Sequence, residues 1–293
     1  GDRDNAAGGA NFCCFGCALV EGALVVMLAL DQVGWEVNGR SILNGLCFEL
    51  ELGQHLAIMG PNGAGKSTLL SLITGDVAAT AGSLQVFGKP PSAFSPIERA
   101  QRISALSQAS ELRFPFTVEE VIGLGRYPFQ ARVESTLAIV AEVMAALQLN
   151  AFAQRSMLTL SGGERQRVHL ARAVAQIWSS QEPVLLLLDE PFAALDIAHQ
   201  VGVRQLLAKI LASHPVSIVS VVHDLGQTTQ GYDRVCLLNA QGQQLAFGAP
   251  STVLTPARLS ELYGIAISEI LYADGAPAGF GVAPVSPSGG LNR

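Results

Sequence analysis

The sequence predicts an α/β fold with a mostly parallel sheet and a helical block inserted between its strands. Three observations carry that prediction. Strand-like and helix-like segments alternate from residue 27 onward, the pattern of strands joined by helical crossovers. PVLLLLDEP, residues 183–191, is a short, wholly apolar run of the kind that is buried on both faces of a sheet. Residues 117–150 have helical composition and spacing, and they fall between two strand-like segments, ISALS and PVLLLLDEP.

With 293 residues, 49% of them hydrophobic and 14% charged, the chain can bury a sizeable core as one large α/β domain or two small ones. The net charge of −6 gives no broad attraction to nucleic acid, and no nucleic-acid partner is expected. Five cysteines, Cys13, Cys14, Cys17, Cys47 and Cys236, make an odd number with three clustered, which is a poor disulfide framework. Cys14 and Cys17 form a lone CxxC with no second pair to complete a zinc site, and Ala18 stands where haem attachment would need His. Reduced thiols in a cytosolic chain are the expectation.

In chain order, residues 12–30 are nearly all apolar, but Glu21, Gly16 and Gly22 interrupt the run and no basic segment precedes it. Met27 opens the alternating stretch LALDQVGWEV, so residues 1–26 are expected to be a non-native or disordered extension. LALDQV, CFELEL and HLAIM read as strands, the last running into GPNGAGKST. Helical spacing resumes at Leu69, Leu70, Leu72 and Ile73, with Gly75 as the stop. SLQVF and ISALS are further strands. Residues 117–150 turn helical: TVEEVIGLG opens with a Thr117 cap, and VESTLAIVAEVMAALQL has helix-forming composition throughout. SIVSVVHD is another strand. These readings place a helical insert at about 109–165 in a domain spanning 27–272, with a loose, Ala/Gly/Pro/Ser-rich tail over 273–293.

Gly60-Pro61-Asn62-Gly63-Ala64-Gly65-Lys66-Ser67 matches GxxxxGK[ST], with a strand before it and a helix, opening with Ser67 and Thr68, after it. Glycines let the backbone curl so that its N–H groups face phosphates, and the helix N-terminus adds partial positive charge. Lys66 is expected to reach the β- and γ-phosphates of ATP and Ser67 to ligate Mg2+. Asp189 ends a buried strand at its carboxyl end, where α/β sheets place ligands; it is expected to hold Mg2+ directly or through water. Glu190 follows it and would orient or deprotonate the attacking water.

A second glycine pair stands at Ser161-Gly162-Gly163-Glu164. Ser with Glu three residues on is a capping box worth about 1 kcal/mol to its helix. A cap does not require two successive glycines, which open a helix N-terminus to another backbone or to an anion.

LSGGE at 160–164 looks like the signature sequence of the ATP-binding-cassette ATPases, and the chain resembles that family over about 31–265. The resemblance implies a P-loop NTPase (RecA-like) core, an N-terminal antiparallel β subdomain and an inserted α-helical subdomain. It also implies a head-to-tail homodimer with two ATPs sandwiched between the copies. In that arrangement Ser161, Gly162, Gly163 and Glu164 of one copy close over the γ-phosphate held by the other. Gln108 resembles the glutamine that contacts Mg2+ and water, Ala194-Leu195-Asp196 resembles the loop that crosses the dimer interface, and His223 resembles the switch histidine at the γ-phosphate. The adenine-stacking slot holds Val37, and Trp35, on the same strand face, is the candidate to substitute; Phe192 replaces a common Thr or Ser.

FPFTVEEVIGLGRYPF (114–129), LDIAHQ (195–200) and VLTPARLSELYG (253–264) are similar to the metal-chelate importer branch, above all to haem importers, with ferric siderophore and cobalamin importers as alternatives. The implied partners are integral membrane permease subunits and, indirectly, a substrate-binding protein. The implied location is peripheral, on the cytoplasmic face of the plasma membrane. Phe114, Phe116, Tyr127 and Phe129 either line the permease docking groove or pack the helical insert. A soluble cassette ATPase without a membrane partner, or a scaffold that binds ATP without useful hydrolysis, are the rival functions.

Overall fold

The computed structural model describes residues 25–106, 114–130, 132–222, 231–271 and 277–282. Gln108, His223, the amino-terminal cysteines and most of the 273–293 tail lie outside the described residues.

The first layer is an antiparallel sheet. Strand β1 (Val26–Val37) turns back into β2 (Arg40–Glu51) through Asn38 and Gly39, with φ of 51° and 72°. Two positive-φ residues in a two-residue loop match the right-handed twist of the strands they join, and Asn-Gly is the pair that tolerates this conformation best. β4 (Ala81–Val86) pairs with the other edge of β1, completing the order β2-β1-β4.

The second sheet has six strands in the order β5-β6-β7-β3-β8-β9. Its members are β5 (Ile103–Leu106), β6 (Val184–Asp189), β7 (Val216–Val221), β3 (His55–Met59), β8 (Arg234–Leu238) and β9 (Gln244–Gly248). All neighbours are parallel except β8 and β9. Every residue of β3, β6 and β7 is buried. On β6, Leu186 and Leu188 enter one core while Leu185 and Leu187 enter the other, so the leucine run serves both faces. Each buried leucine contributes about 1.5–3 kcal/mol.

Helix α1 (Lys66–Thr74) follows β3 and ends at Gly75, which is left-handed with φ 76°. Between β4 and β5 lies α2 (Pro96–Arg102), opened by a Ser95–Glu98 capping box. Between β5 and β6 come α3 (Val118–Gly123), a 3-10 stretch (Leu124–Phe129), α4 (Val133–Ala146) and α5 (Gly162–Ile177). Thr117 does cap α3, in a capping box with Glu120. The helical stretch is not continuous, however: Pro128 lies in the 3-10 segment, where a missing N–H cannot sustain α-helical bonding. Helix α6 (Ile197–Ser213) connects β6 to β7.

The carboxyl-terminal expectation needs correction. After α7 (Pro250–Val253) and α8 (Pro256–Tyr263), β10 (Ile267–Leu271) pairs antiparallel with β11 (Pro277–Val282), inside the stretch expected to be loose. The reason is one aromatic side chain. Phe280 is buried against a cluster containing Leu259, Leu262 and Ile267, and its apolar burial overrides the glycines beside it.

This topology sets up the site. Ile58 and Asp189 are both level with Val221, on either side of β7. The end of β3 and the end of β6 therefore lie about 9–10 Å apart across one strand, at the carboxyl edge of the sheet. No helix among the described residues is long and apolar enough to cross a membrane.

Candidate active site

The chain leaves β3 through residues 60–65 and enters α1 at Lys66. Gly65 is the N-cap of α1, with φ 86° and no side-chain cap. The N–H groups of the first turn are thus left to a ligand, as an anion site requires. A β-carbon at Gly65 would fall 2.6 Å from Leu43 Cδ2, so both the backbone angle and the packing of β2 demand glycine.

Lys66 is only 6% exposed. Its ammonium donates to the carbonyl oxygens of Gly60 and Pro61, at 2.8 Å each. An ammonium has three donors, so one remains for a ligand. Burial pulls its pKa below the ordinary lysine value, while Glu190 and Asp189 oppose that shift.

Ser67 Oγ donates to Asp189 Oδ2 at 2.9 Å. Asp189 is buried at the last position of β6, so the strand order has delivered a carboxylate to the helix that follows the phosphate loop. The pair fits a hard cation. Both donors are oxygens, and their separation is close to the edge of a magnesium octahedron, about 2.9 Å for metal–oxygen bonds of 2.0–2.1 Å. Among the described residues no group of three His, Cys, Asp or Glu could hold a metal, so Ser67 and Asp189 would leave most positions of such an ion to other ligands, such as water and phosphate oxygens.

Glu190 follows at φ 51°, the left-handed region, which is uncommon for a residue with a side chain. It borders a cavity of about 610 Å³ together with Lys66, Ser67 and Thr68, the loop residues Asn62 and Gly63, and Ile42. Asp189 and Glu190 are thereby brought to the phosphate loop. Trp35 is not among the cavity-lining residues; it packs half-buried against the core of the β subdomain, and Ile42 is the apolar residue that reaches the cavity. Val37 is exposed. Ile42 carries no signal in the sequence, because only the fold of the β1–β2 hairpin brings it over the loop.

The second glycine pair does not line that cavity. Ser161 accepts from Glu164 N at 3.3 Å and its own N–H donates to Glu164 Oε2 at 2.7 Å, completing the capping box of α5. The two glycines have different reasons to be there. A β-carbon on Gly163 would fall 2.6 Å from the carbonyl oxygen of Ala194, so the loop after β6 rests on it. A β-carbon on Gly162 would meet nothing closer than 3.9 Å. Ser161 and Gly162 are exposed, so no packing within one chain requires glycine at 162. Asp196 is the N-cap of α6, accepting from His199 N at 2.9 Å, and that bond holds its carboxyl below the usual range.

On the helical insert, Phe116, Leu124, Arg126 and Tyr127 border an open cavity of about 570 Å³. Phe114 and Tyr127 are 68% and 85% exposed, so these two do not pack the insert. Phe129 is half-buried beneath the Arg126 guanidinium, 4.2 Å from its ring centre. Of this aromatic set, Phe129 therefore packs the insert, whereas Phe114 and Tyr127 do not.

The ABC transporter family model matches residues 43–193. The chain is 40% identical over 239 residues to the hemin import ATP-binding protein HmuV of Pseudomonas entomophila (strain L48), covering 82% of this chain and 93% of that one. It is 44% identical over 240 residues to the protein of the same name from Streptomyces coelicolor, covering 81% and 83%. Among solved structures, a chain of an inward-facing transporter assigned to the metal-chelate type of ABC transporter superposes with a TM-score of 0.74 at 27% identity, covering 89% of this chain and 98% of that one. The ADP conformation of MJ1267, an ATP-binding cassette of an ABC transporter, superposes at 0.68 with 22% identity over 81% and 98%, a likeness of fold.

Proposed function

The chain belongs to the ABC transporter family, and from that membership we propose that it is the ATP-hydrolysing subunit of an importer for haem or a related iron chelate. The one observation that carries the mechanism is the split between the two glycine loops. The phosphate loop opens on a cavity with Asp189 and Glu190 beside it, while Ser161 and Gly162 stand exposed and away from it. A second copy turned head to tail would bring its Ser161 and Gly162 to this cavity, and the symmetry of a self-complementary interface supplies both sites at once.

In each site the uncapped first turn of α1 and the free donor of Lys66 bind the triphosphate. Ser67 and Asp189 would hold Mg2+, which when bound neutralises charge between the β- and γ-phosphates. Glu190 receives a proton from, or orients, the attacking water. The partner's Ser161 hydroxyl and the N–H groups at the start of its α5 complete the electrostatic clamp on the transferred phosphoryl group. His223 and Gln108 are proposed as the γ-phosphate contact and the water and Mg2+ contact.

The chain works peripherally, on the cytoplasmic face of the membrane, against a separate permease. The cavity bordered by Phe116, Leu124 and Tyr127 is the proposed docking groove, since exposed aromatic side chains beside a concavity favour a protein partner. The names of the relatives support haem over siderophores or cobalamin.

Reconstitution tests this reading. The chain co-purified with its multi-spanning partner in proteoliposomes should hydrolyse ATP faster when a hemin-loaded binding protein is present on the opposite side. Stimulation by a ferric siderophore or cobalamin instead would reassign the cargo. Hydrolysis that no membrane protein changes would favour a soluble ATPase.

A further inference from the structure

Helix α5 touches the loop that carries the catalytic carboxylate at two points. Gln166 Nε2 donates to the carbonyl oxygen of Glu190 at 3.1 Å. Gly163 lies against the carbonyl of Ala194 so closely that no side chain fits. The loop between is short and strained at both ends, with Glu190 at φ 51° and Ala194 at φ 60°. Such angles persist on non-glycine residues only where the surroundings over-determine them. Here the determinants are visible: the Glu190 carbonyl accepts from Ala193 N at 3.1 Å as well as from Gln166.

The consequence is geometric. The direction in which the Glu190 side chain leaves the backbone is set by its backbone angles, and the orientation of its peptide is held by a side chain from the second turn of α5. The first turn of that helix carries Ser161 and Gly162, the groups offered to the partner's nucleotide. A tilt of α5 as its N-terminus engages the partner would therefore be passed through Gln166 to the peptide of Glu190, which serves the chain's own nucleotide.

We propose that Gln166 is a positioning residue that sets the catalytic carboxylate of one active centre according to whether the signature turn of the same chain has engaged the other. This rests on the shared-site reading above. It deepens that reading, because it gives the two centres a physical route for cooperation within each chain.

The experiment uses the full chain carrying Gln166→Met, which keeps the length and loses the donor, and Gln166→Glu, which is isosteric and has no donor at neutral pH. Loss of one hydrogen bond to the positioned carbonyl should lower kcat about three- to tenfold in both variants. KM for ATP should stay within about twofold, because no group that binds nucleotide has changed. The Hill coefficient for ATP should fall toward 1. Combined with Glu190→Gln, either variant should still form an ATP-dependent dimer, which also shows that it is folded. Wild-type kcat and Hill coefficient in both variants would overturn the proposal, as would a parallel loss of kcat and of the ATP-dependent dimer, the mark of a merely structural role. If the Glu190→Gln chain alone forms no ATP-dependent dimer, the shared-site reading itself fails and the coupling with it.

Discussion

Glu190→Gln should lower ATP turnover about 10²- to 10⁴-fold, the span attributed to a positioned general base, while ATP still binds and still draws two copies together. The expectation follows from where the carboxylate sits. Glu190 borders the phosphate-loop cavity, while the groups expected to grip the phosphates are backbone N–H groups, Lys66 and Ser67. Glutamine preserves the volume and the left-handed backbone position but cannot accept a proton. Phosphate release measured beside light scattering separates the two effects. Turnover within a few fold of the wild type would remove Glu190 from the chemistry.

Lys66→Ala should act at the other step. Its ammonium is the positive charge that the structure buries in the loop, 6% exposed and held by the carbonyls of Gly60 and Pro61. A hydrogen bond to a charged group contributes about 1.5–3 kcal/mol, so losing the one to phosphate should weaken ATP binding about 10- to 100-fold. The same change leaves two loop carbonyls without their donor, which loosens the cradle and adds to the loss. Titration calorimetry with ATP reads this directly. Unaltered affinity in a folded Lys66→Ala chain would contradict the assignment of the loop.

What the sequence made legible is what only special residues can do. The phosphate loop was readable because Lys-Ser after a glycine-rich turn has no packing role, and Asp189 because a carboxylate ends an otherwise apolar strand. The buried strand β6 was readable as an unbroken apolar run, since both faces of a parallel sheet are covered, and β7 as a β-branched run interrupted by Ser217 and Ser220. Less legible were features created by tertiary contact. Ile42 rather than Trp35 reaches the cavity because the β1–β2 hairpin folds over the loop. Gly163 answers to a carbonyl thirty-odd residues away in the chain, although the motif presents it as the equal of Gly162. β11 was hidden by its glycines and proline and is held by Phe280. Helix α2 is a different case: its Ser95–Glu98 capping box is as explicit as that of Thr117, but its short helix offers no apolar stripe to draw the eye.

The central claim is that each active centre is assembled from two chains, and complementation tests it most directly. Ser161→Arg should abolish hydrolysis by blocking closure over the partner's nucleotide, and Lys66→Ala should suppress it by weakening ATP binding and removing the charge that faces the transferred phosphoryl group. Each variant alone should be nearly inactive. Mixed in equal amounts, they should recover turnover well above the sum of the two alone, with about a quarter of wild type as the ceiling, because half of randomly formed dimers are mixed and each holds one intact centre, whose Glu190 belongs to the chain with the blocked signature turn. Full activity of the Ser161→Arg chain by itself, or a mixture no more active than the sum of its parts, would contradict the shared centre.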